Sequence, residues 1–227
     1  NSIKGLAMKN PQKFYQATHN NFFEAISNQN VVHPETESTL HYLYKTMAEA
    51  VSSAEFIYAK SRIQQSNVEY PQNEFSKRLK TVAELIHANV NTRVYYLSLS
   101  GFDTHTNQEA QQQRLLSTYA DGIRAFVKDI GDTRMKDVVI MTFSEFGRRV
   151  AENSSGGTDH GTANNVFIIS KGLKKKGFLN NMPDLSRLDQ GDLIHQLDFR
   201  SIYATLLNKW LEVPSEKILN GPFPVLD

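Results

Sequence analysis

The sequence predicts an α/β protein in which helices flank a parallel-rich sheet and a helical segment precedes this core. Two apolar segments rich in β-branched and aromatic residues, 94–99 and 137–143, predict strands that are buried on both faces. An amphipathic segment, 107–130, lies between them, and the order strand, helix, strand is typical of parallel sheets. Residues 1–90 instead show helical spacing of apolar residues without strand alternation.

The first 90 residues predict three or four helices. One amphipathic stretch covers residues 14–26, a longer one runs from Thr39 to Ile63, and a third covers 73–88 after Pro71. We expect this segment, 1–90, to pack on the core formed by 91–227 and to make one compact domain with it. Its histidines are isolated along the chain and are predicted to be surface residues or hydrogen-bonded core residues: His19, His33, His41 and His87.

The remaining residues predict the elements of the core in order. After the strand at 94–99, the helix at 107–130 and the strand at 137–143, a third buried strand is predicted at 165–169. A helix with apolar residues at helical spacing follows at about 199–211.

Composition narrows the classes of function. The 227 residues carry 25 Lys and Arg against 24 Asp and Glu, so there is no strong field to attract nucleic acid, and the run Lys174–Lys176 is predicted to be a solvated turn. The absence of cysteine excludes disulfides, thiolate zinc sites and a cysteine nucleophile, so any metal must use His, Asp or Glu. No apolar run is long enough to span a membrane. The chain begins without an initiator Met, and we expect a trimmed form of a longer precursor.

Polar clusters stand near the predicted strand ends, where α/β sheets bind ligands. Asp103 and His105 follow the first strand, and the adjacent pair Asp159 and His160 precedes the third. A carboxylate and two imidazoles drawn from separate loops suit zinc or another borderline divalent cation. The alternative is structural: Asp103 caps the helix that starts at Asn107, His105 is a polar loop residue, and the nearby glycines allow a tight turn.

A second cluster follows the strand at 137–143. Arg148 comes after a glycine, where its guanidinium could hold a phosphate or sulfate, but an ion pair with Glu145 or Glu152 fits equally well. Glu145 is a metal ligand, a general base or that ion-pair partner, and the sequence leaves these roles open. Ser144 is a conceivable nucleophile, although no G-x-S-x-G nucleophile elbow surrounds it.

Four strings of the sequence together resemble a known family. They are GFDTH at 101–105, MTFSEFGRRVAEN at 141–153, GGTDHGTANNVFI at 156–168 and LDFRSIYATLLNKWL at 197–211. They resemble the bacterial domain-of-unknown-function 1501 proteins, relatives of the alkaline phosphatase and sulfatase superfamily that are commonly exported through a twin-arginine signal. The resemblance implies an alkaline phosphatase-like fold and a periplasmic or otherwise exported location.

The resemblance also implies a site and a function. Asp103, His105 and His160 resemble the ligands of one divalent metal ion, most simply zinc, and Thr162 follows His160 as Thr or Ser does in the superfamily. Ser144 and Glu145 stand where superfamily members carry an Asp-His pair that holds a second metal. The nucleophile of the superfamily lies on an early strand, which we expect upstream of this chain.

The predicted function is therefore that of an exported phosphatase-like or sulfatase-like hydrolase domain. It would act on a small anionic ester, with Glu145 as ligand or base and Arg148 holding the anionic group. The alternative is a non-catalytic binding or scaffold module that keeps the fold with a degenerate metal site.

Overall fold

The computed structural model describes residues 5–28 and 39–226. These residues form two compact units. The first comprises the described residues up to Leu99 together with Ser117–Gly131, and the second comprises Ser100–Leu116 and the described residues from Asp132 onward. The sequence places its division at residue 90 instead, and that division stays a prediction. None of the described helices combines the length and the apolar character needed to cross a bilayer.

Four helices of the first unit confirm the helical pattern predicted for residues 1–90. They are α1 (Pro11–Thr18), α2 (Asn21–Asn28), α3 (Thr39–Ile63) and α4 (Glu74–His87). Asn73 caps α4, since its side-chain oxygen accepts a hydrogen bond from the Ser76 backbone N–H at 2.8 Å. The capped end fixes where α4 begins.

The core of the first unit lies where α4 meets the middle of α5 (Gln108–Arg134). Gly122 of α5 permits this contact: a Cβ there would lie 3.0 Å from the Ser76 hydroxyl oxygen and 3.1 Å from a methyl carbon of Leu79. The apolar residues buried in these two helices are Phe75, Leu79, Val82, Ala83, Leu85, Ile123, Ala125, Phe126 and Ile130. At Gly131 (φ 71°) the helical path of α5 breaks.

Two of the isolated histidines are hydrogen-bonded, as predicted. His19 Nε2 lies 2.9 Å from a carboxylate oxygen of Glu55, and His87 Nε2 lies 3.3 Å from Oδ1 of the largely buried Asp129. His33 and the side chain of His41 lie outside the described residues.

The strands of the second unit are short and pair in antiparallel ladders. They are β1 (Ile140–Met141), β2 (Gly147–Arg148), β3 (His160–Gly161), β4 (Ile168–Ile169), β5 (Leu188–Asp189) and β6 (Asp192–Leu193). β1 pairs with β4, β2 with β3 and β5 with β6, with Ile140 opposite Ile169 and Arg148 opposite His160. β1 and β4 lie inside the strands predicted at 137–143 and 165–169.

The segment predicted as the first strand differs from the expectation. Residues 94–99 form no ladder with the described residues, although their side chains alternate between exposed and half-buried as those of a strand do. A strand is defined by hydrogen bonds to a partner, and an apolar composition cannot supply that partner. The described residues therefore contain no parallel sheet, and the alkaline phosphatase-like fold stays a prediction.

Helical turns at 199–210 confirm the helix predicted at about 199–211. α6 (Phe199–Thr205) continues into one π-helical turn, Leu206–Trp210, and α7 (Ser215–Leu219) follows. Asp198 caps α6 by accepting a hydrogen bond from the Arg200 backbone N–H at 2.9 Å.

Candidate metal centre

Three of the residues predicted as metal ligands lie together in the second unit. One ligand atom from each of Asp103, His105 and His160 lies within 4.8 Å of the others. His160 Nε2 is 2.8 Å and His105 Nδ1 is 3.3 Å from the same carboxylate oxygen, Asp103 Oδ1. Two loops separated by more than 50 positions in the sequence thus place three donor groups around one point.

The β2–β3 ladder holds His160 in place. Arg148 of β2 lies directly opposite His160 of β3, and residues opposite each other in a ladder share one face. The ring of Phe146, just before β2, stacks on the imidazole of His160 with centroids 3.9 Å apart and planes 8° apart. Because the ring is stacked and its Nε2 faces Asp103, its orientation is fixed from two sides.

The guanidinium of Arg148 joins the two loops that carry the ligands. Its Nη2 donates to the carbonyl oxygen of Phe102 and its Nη1 to that of Thr158, both at 2.6 Å. These residues lie next to or near Asp103 and His160 in the chain, so the fork of Arg148 sets the spacing between the two ligand loops. It forms no ion pair with Glu145 or Glu152, both of which are described. Its assignment as the anion-holding group stays a prediction.

Close backbone packing holds the third candidate ligand, His105, in place. A Cβ at Gly157 would lie 2.5 Å from the carbonyl oxygen of His105, so only glycine permits this approach. The side chain of Asn153 donates to the same carbonyl at 3.1 Å and accepts from the Gly157 backbone N–H at 3.1 Å. The loop around Gly157 therefore acts as a support for His105.

The same loop also caps the start of α5, a role that the sequence offered as an alternative for Asp103. The backbone N–H groups of Asn107 and Gln108, where α5 begins, donate to the carbonyl oxygens of Ser155 and Gly156 at 3.3 and 3.0 Å. The carboxylate of Asp103 faces the two histidines instead.

The charge of the centre favours an ionised carboxylate. The hydrogen bond from His160 holds the pKa of Asp103 below its usual range, and the nearby His160, His105 and Arg148 lower that pKa further through their charge. The three ligand side chains are well exposed, with 65% of Asp103, 46% of His105 and 44% of His160 accessible. An aspartate that is already ionised and accessible can bind a cation without first losing a proton.

The donor set fits zinc or a similar divalent ion. Two imidazole nitrogens and one carboxylate oxygen are ligand types that Zn²⁺ accepts, and three protein ligands with a free fourth position are typical of catalytic zinc sites. The hydrogen bond between His160 and Asp103 would give way to bonds from both groups to the ion.

The remaining predicted site residues, Ser144, Glu145, Asp159 and Thr162, lie outside the cluster of three candidate ligands. Glu145 is exposed and makes no hydrogen bond or ion pair with the described residues. The hydroxyl of Ser144 donates to the carbonyl of Phe146 at 3.1 Å, and that of Thr162 donates to the carbonyl of Leu193 at 3.3 Å. The carboxylate of Asp159 accepts from Asn153 at 3.3 Å and thereby joins the support of His105 rather than the ligand set.

Several residues that shape the centre were not identified from the sequence. Phe146, Asn153 and Gly157 act by stacking, by side-chain hydrogen bonds to backbone and by close approach. Each of these functions depends on a partner far along the chain, so local periodicity carries no signal for it. The one available hint was their position inside the strings 141–153 and 156–168.

Comparison with known proteins places the chain by its sequence. Searches of curated proteins and of solved structures found no match. A family model described as "Protein of unknown function (DUF1501)" matches residues 15–210, which include the first three strings, all but the last residue of the fourth, and the three candidate ligand residues of the centre. The chain therefore belongs to the DUF1501 family.

Proposed function

We propose that this chain carries the metal centre of an ester hydrolase of the phosphatase or sulfatase type. The observation that carries the proposal is the convergence of Asp103, His105 and His160, whose ligand atoms lie within 4.8 Å of one another. A divalent ion bound there would polarise an ester oxygen and neutralise charge that grows in the transition state.

The residues around the ligands have separate tasks in this proposal. Arg148 and Asn153 hold the ligand loops at the spacing that the three donors need, through the carbonyl oxygens of Phe102, Thr158 and His105. Glu145 is exposed and has no described partner, so its carboxylate is available to take a proton from an attacking group. The residue that attacks the ester is proposed to lie outside this chain, as the family resemblance implies.

A second candidate, a metal-binding module without catalysis, is supported by a specific observation. The hydroxyl of Ser144 is engaged with the carbonyl of Phe146, and both terminal nitrogens of the Arg148 guanidinium donate to carbonyls. The Ser144 hydroxyl and two N–H groups of Arg148 are thus already used in bonds to backbone carbonyls, which is the arrangement expected of structural residues. In this case the centre would bind a metal and a ligand without turnover.

Zinc binding to the purified chain tests the shared premise of both candidates. We expect the wild type to bind Zn²⁺ in an isothermal titration and both Asp103→Ala and His160→Ala to lose this binding. Asp137→Ala and His195→Ala, which alter exposed residues outside the cluster, are the matched controls and should bind as the wild type does. Unchanged zinc binding in both cluster variants would refute the ligand assignment.

Hydrolysis distinguishes the two candidates. The zinc-loaded chain, alone and in a form extended upstream, is assayed with p-nitrophenyl phosphate and p-nitrophenyl sulfate. Turnover by the extended form that is lost in His160→Ala supports the hydrolase, whereas zinc binding without turnover in either form supports the binding module.

A further inference from the structure

A long exposed loop between β4 and β5 lies apart from the residues of the metal centre in the sequence. Residues 171–187, named here the basic loop, are exposed at every position. Its composition combines lysines with large apolar side chains.

The first part of the basic loop carries a concentrated positive charge. Lys171, Lys174, Lys175 and Lys176 lie within six positions, and the next acidic residue along the chain is Asp184. Lys171 Nζ pairs with Asp132 at 3.0 Å. The run Lys174–Lys176 forms no ion pair with the described residues, so its charge is not neutralised within the part of the chain that the structure describes.

The second part of the basic loop exposes apolar side chains in close succession. Phe178 is 79% accessible, Leu179 49%, Met182 69% and Leu185 61%. Single exposed apolar residues are normal on a protein surface, but four exposed large apolar side chains within eight positions of one loop favour a binding surface.

Hydrogen bonds hold the apolar part of the loop in this arrangement. The side chain of Gln196 donates to the carbonyl of Met182 at 3.2 Å, and Asn180 donates to the amide oxygen of Gln196 at 3.3 Å. The loop is thus anchored beside Phe178 and Met182 while both side chains stay in solvent. Because these hydrogen bonds lie within the chain itself, Phe178 and Met182 are exposed before any partner binds.

We propose that the basic loop docks on the surface of an anionic lipid bilayer. The lysines would lie at the negatively charged headgroups, and Phe178 and Met182 would enter the boundary between headgroups and acyl chains, about 5–10 Å deep. Charge complementarity favours an anionic surface. Interfaces between folded proteins usually centre on side chains that fill well-packed pockets. Residues 171–187 are all exposed and form no such pocket among themselves, so a fluid bilayer suits this segment better than a folded partner does.

The test measures partition of the chain onto vesicles of phosphatidylglycerol and phosphatidylcholine, compared with phosphatidylcholine alone. We expect binding to the anionic vesicles at about 0.1 M salt and loss of binding at about 1 M, where the Debye length falls from about 10 Å to 3 Å. Each lysine near such a surface changes partition by about fivefold, so the triple variant K174E, K175E, K176E should bind at least about a hundredfold more weakly.

Matched variants separate the loop from the overall charge and hydrophobicity of the chain. Reversal of three exposed lysines elsewhere, K45E, K128E and K217E, makes the same change in net charge and should leave binding within about threefold. F178S with M182S should weaken binding, and the control L43S with L116S, which alters two other exposed apolar residues, should not. Circular dichroism verifies that each variant is folded.

Three results would overturn the proposal. These are equal partition onto neutral and anionic vesicles, no partition onto either, or control variants that lose binding as fully as the loop variants. Retention of the wild type but not K174E, K175E, K176E on immobilised poly-glutamate, without any vesicle binding, would assign the loop to an acidic protein partner instead.

Discussion

Gly157→Ala tests whether backbone packing positions His105, one of the three proposed metal ligands. The new Cβ would lie 2.5 Å from the carbonyl oxygen of His105 and 2.6 Å from its carbonyl carbon. Both contacts are to backbone, so no side-chain rotation can relieve them, and the loop or the His105 segment must move by about 1 Å.

The size of this shift sets the expected loss of zinc affinity. Ligand positions in zinc sites tolerate about 0.2 Å, and loss of a supporting contact around the ligands typically lowers metal affinity by about 10–100-fold. We expect a loss in this range for Gly157→Ala, together with a decrease in the free energy of unfolding of about 1–3 kcal/mol from overpacking.

Competition with a chromophoric zinc chelator measures the affinity, and urea denaturation measures the stability. The control is Gly172→Ala in the same unit, where the nearest atoms to a new Cβ are 3.6 Å away and no change in affinity is expected. A zinc affinity of Gly157→Ala within about twofold of the wild type would refute the reasoning, since it would show that His105 does not depend on this contact.

Three further predictions concern other interactions. Arg148→Lys keeps the charge but loses the fork that joins the ligand loops, so zinc affinity in the same competition assay should fall by about 10–100-fold, and an unchanged affinity would contradict the positioning role. Tyr70→Phe removes a hydroxyl that donates to Asp129 at 2.8 Å and should lower the free energy of unfolding by about 1.5–3 kcal/mol. Burial and the hydrogen bond to Asp129 raise the pKa of Tyr70, so this contribution is fully present below about pH 10 and lost as the pH rises further; an equally steep alkaline loss in Tyr70→Phe would count against it. Asn73→Ala should lower the unfolding free energy by about 1 kcal/mol in urea denaturation, whereas Asn73→Ser should stay close to the wild type.

The helices could be predicted because their signals are local. The apolar spacing of the segment from Thr39 to Ile63 and the stretch 73–88 lie within the helices themselves, and α3 and α4 occupy these positions. The strand expected at 94–99 shows the opposite case. Its composition suits a strand, but a ladder needs a second segment, and composition does not specify one.

The sequence pointed to the three residues that lie together in the candidate metal centre, but not to the residues that support them. Asp103, His105 and His160 carry the chemistry in their residue types, and the strings around them indicated the family to which the chain belongs. The residue types of Phe146 and Asn153 do not indicate a role in a metal site. Their roles come from their contacts, the stacking of Phe146 on His160 and the hydrogen bond from Asn153 to the carbonyl of His105.

The sequence by itself determined the helices, the absence of thiolate chemistry and the donor types available to a metal. These properties follow from residue identity and from spacing over one or two helical turns. Only the tertiary structure decided that β2 and β3 place Arg148 opposite His160, that Gly157 packs on the carbonyl of His105, and that the guanidinium of Arg148 spans two loops. The physical reason is that these contacts join positions ten to more than fifty residues apart, and their geometry depends on chain packing that no local pattern encodes.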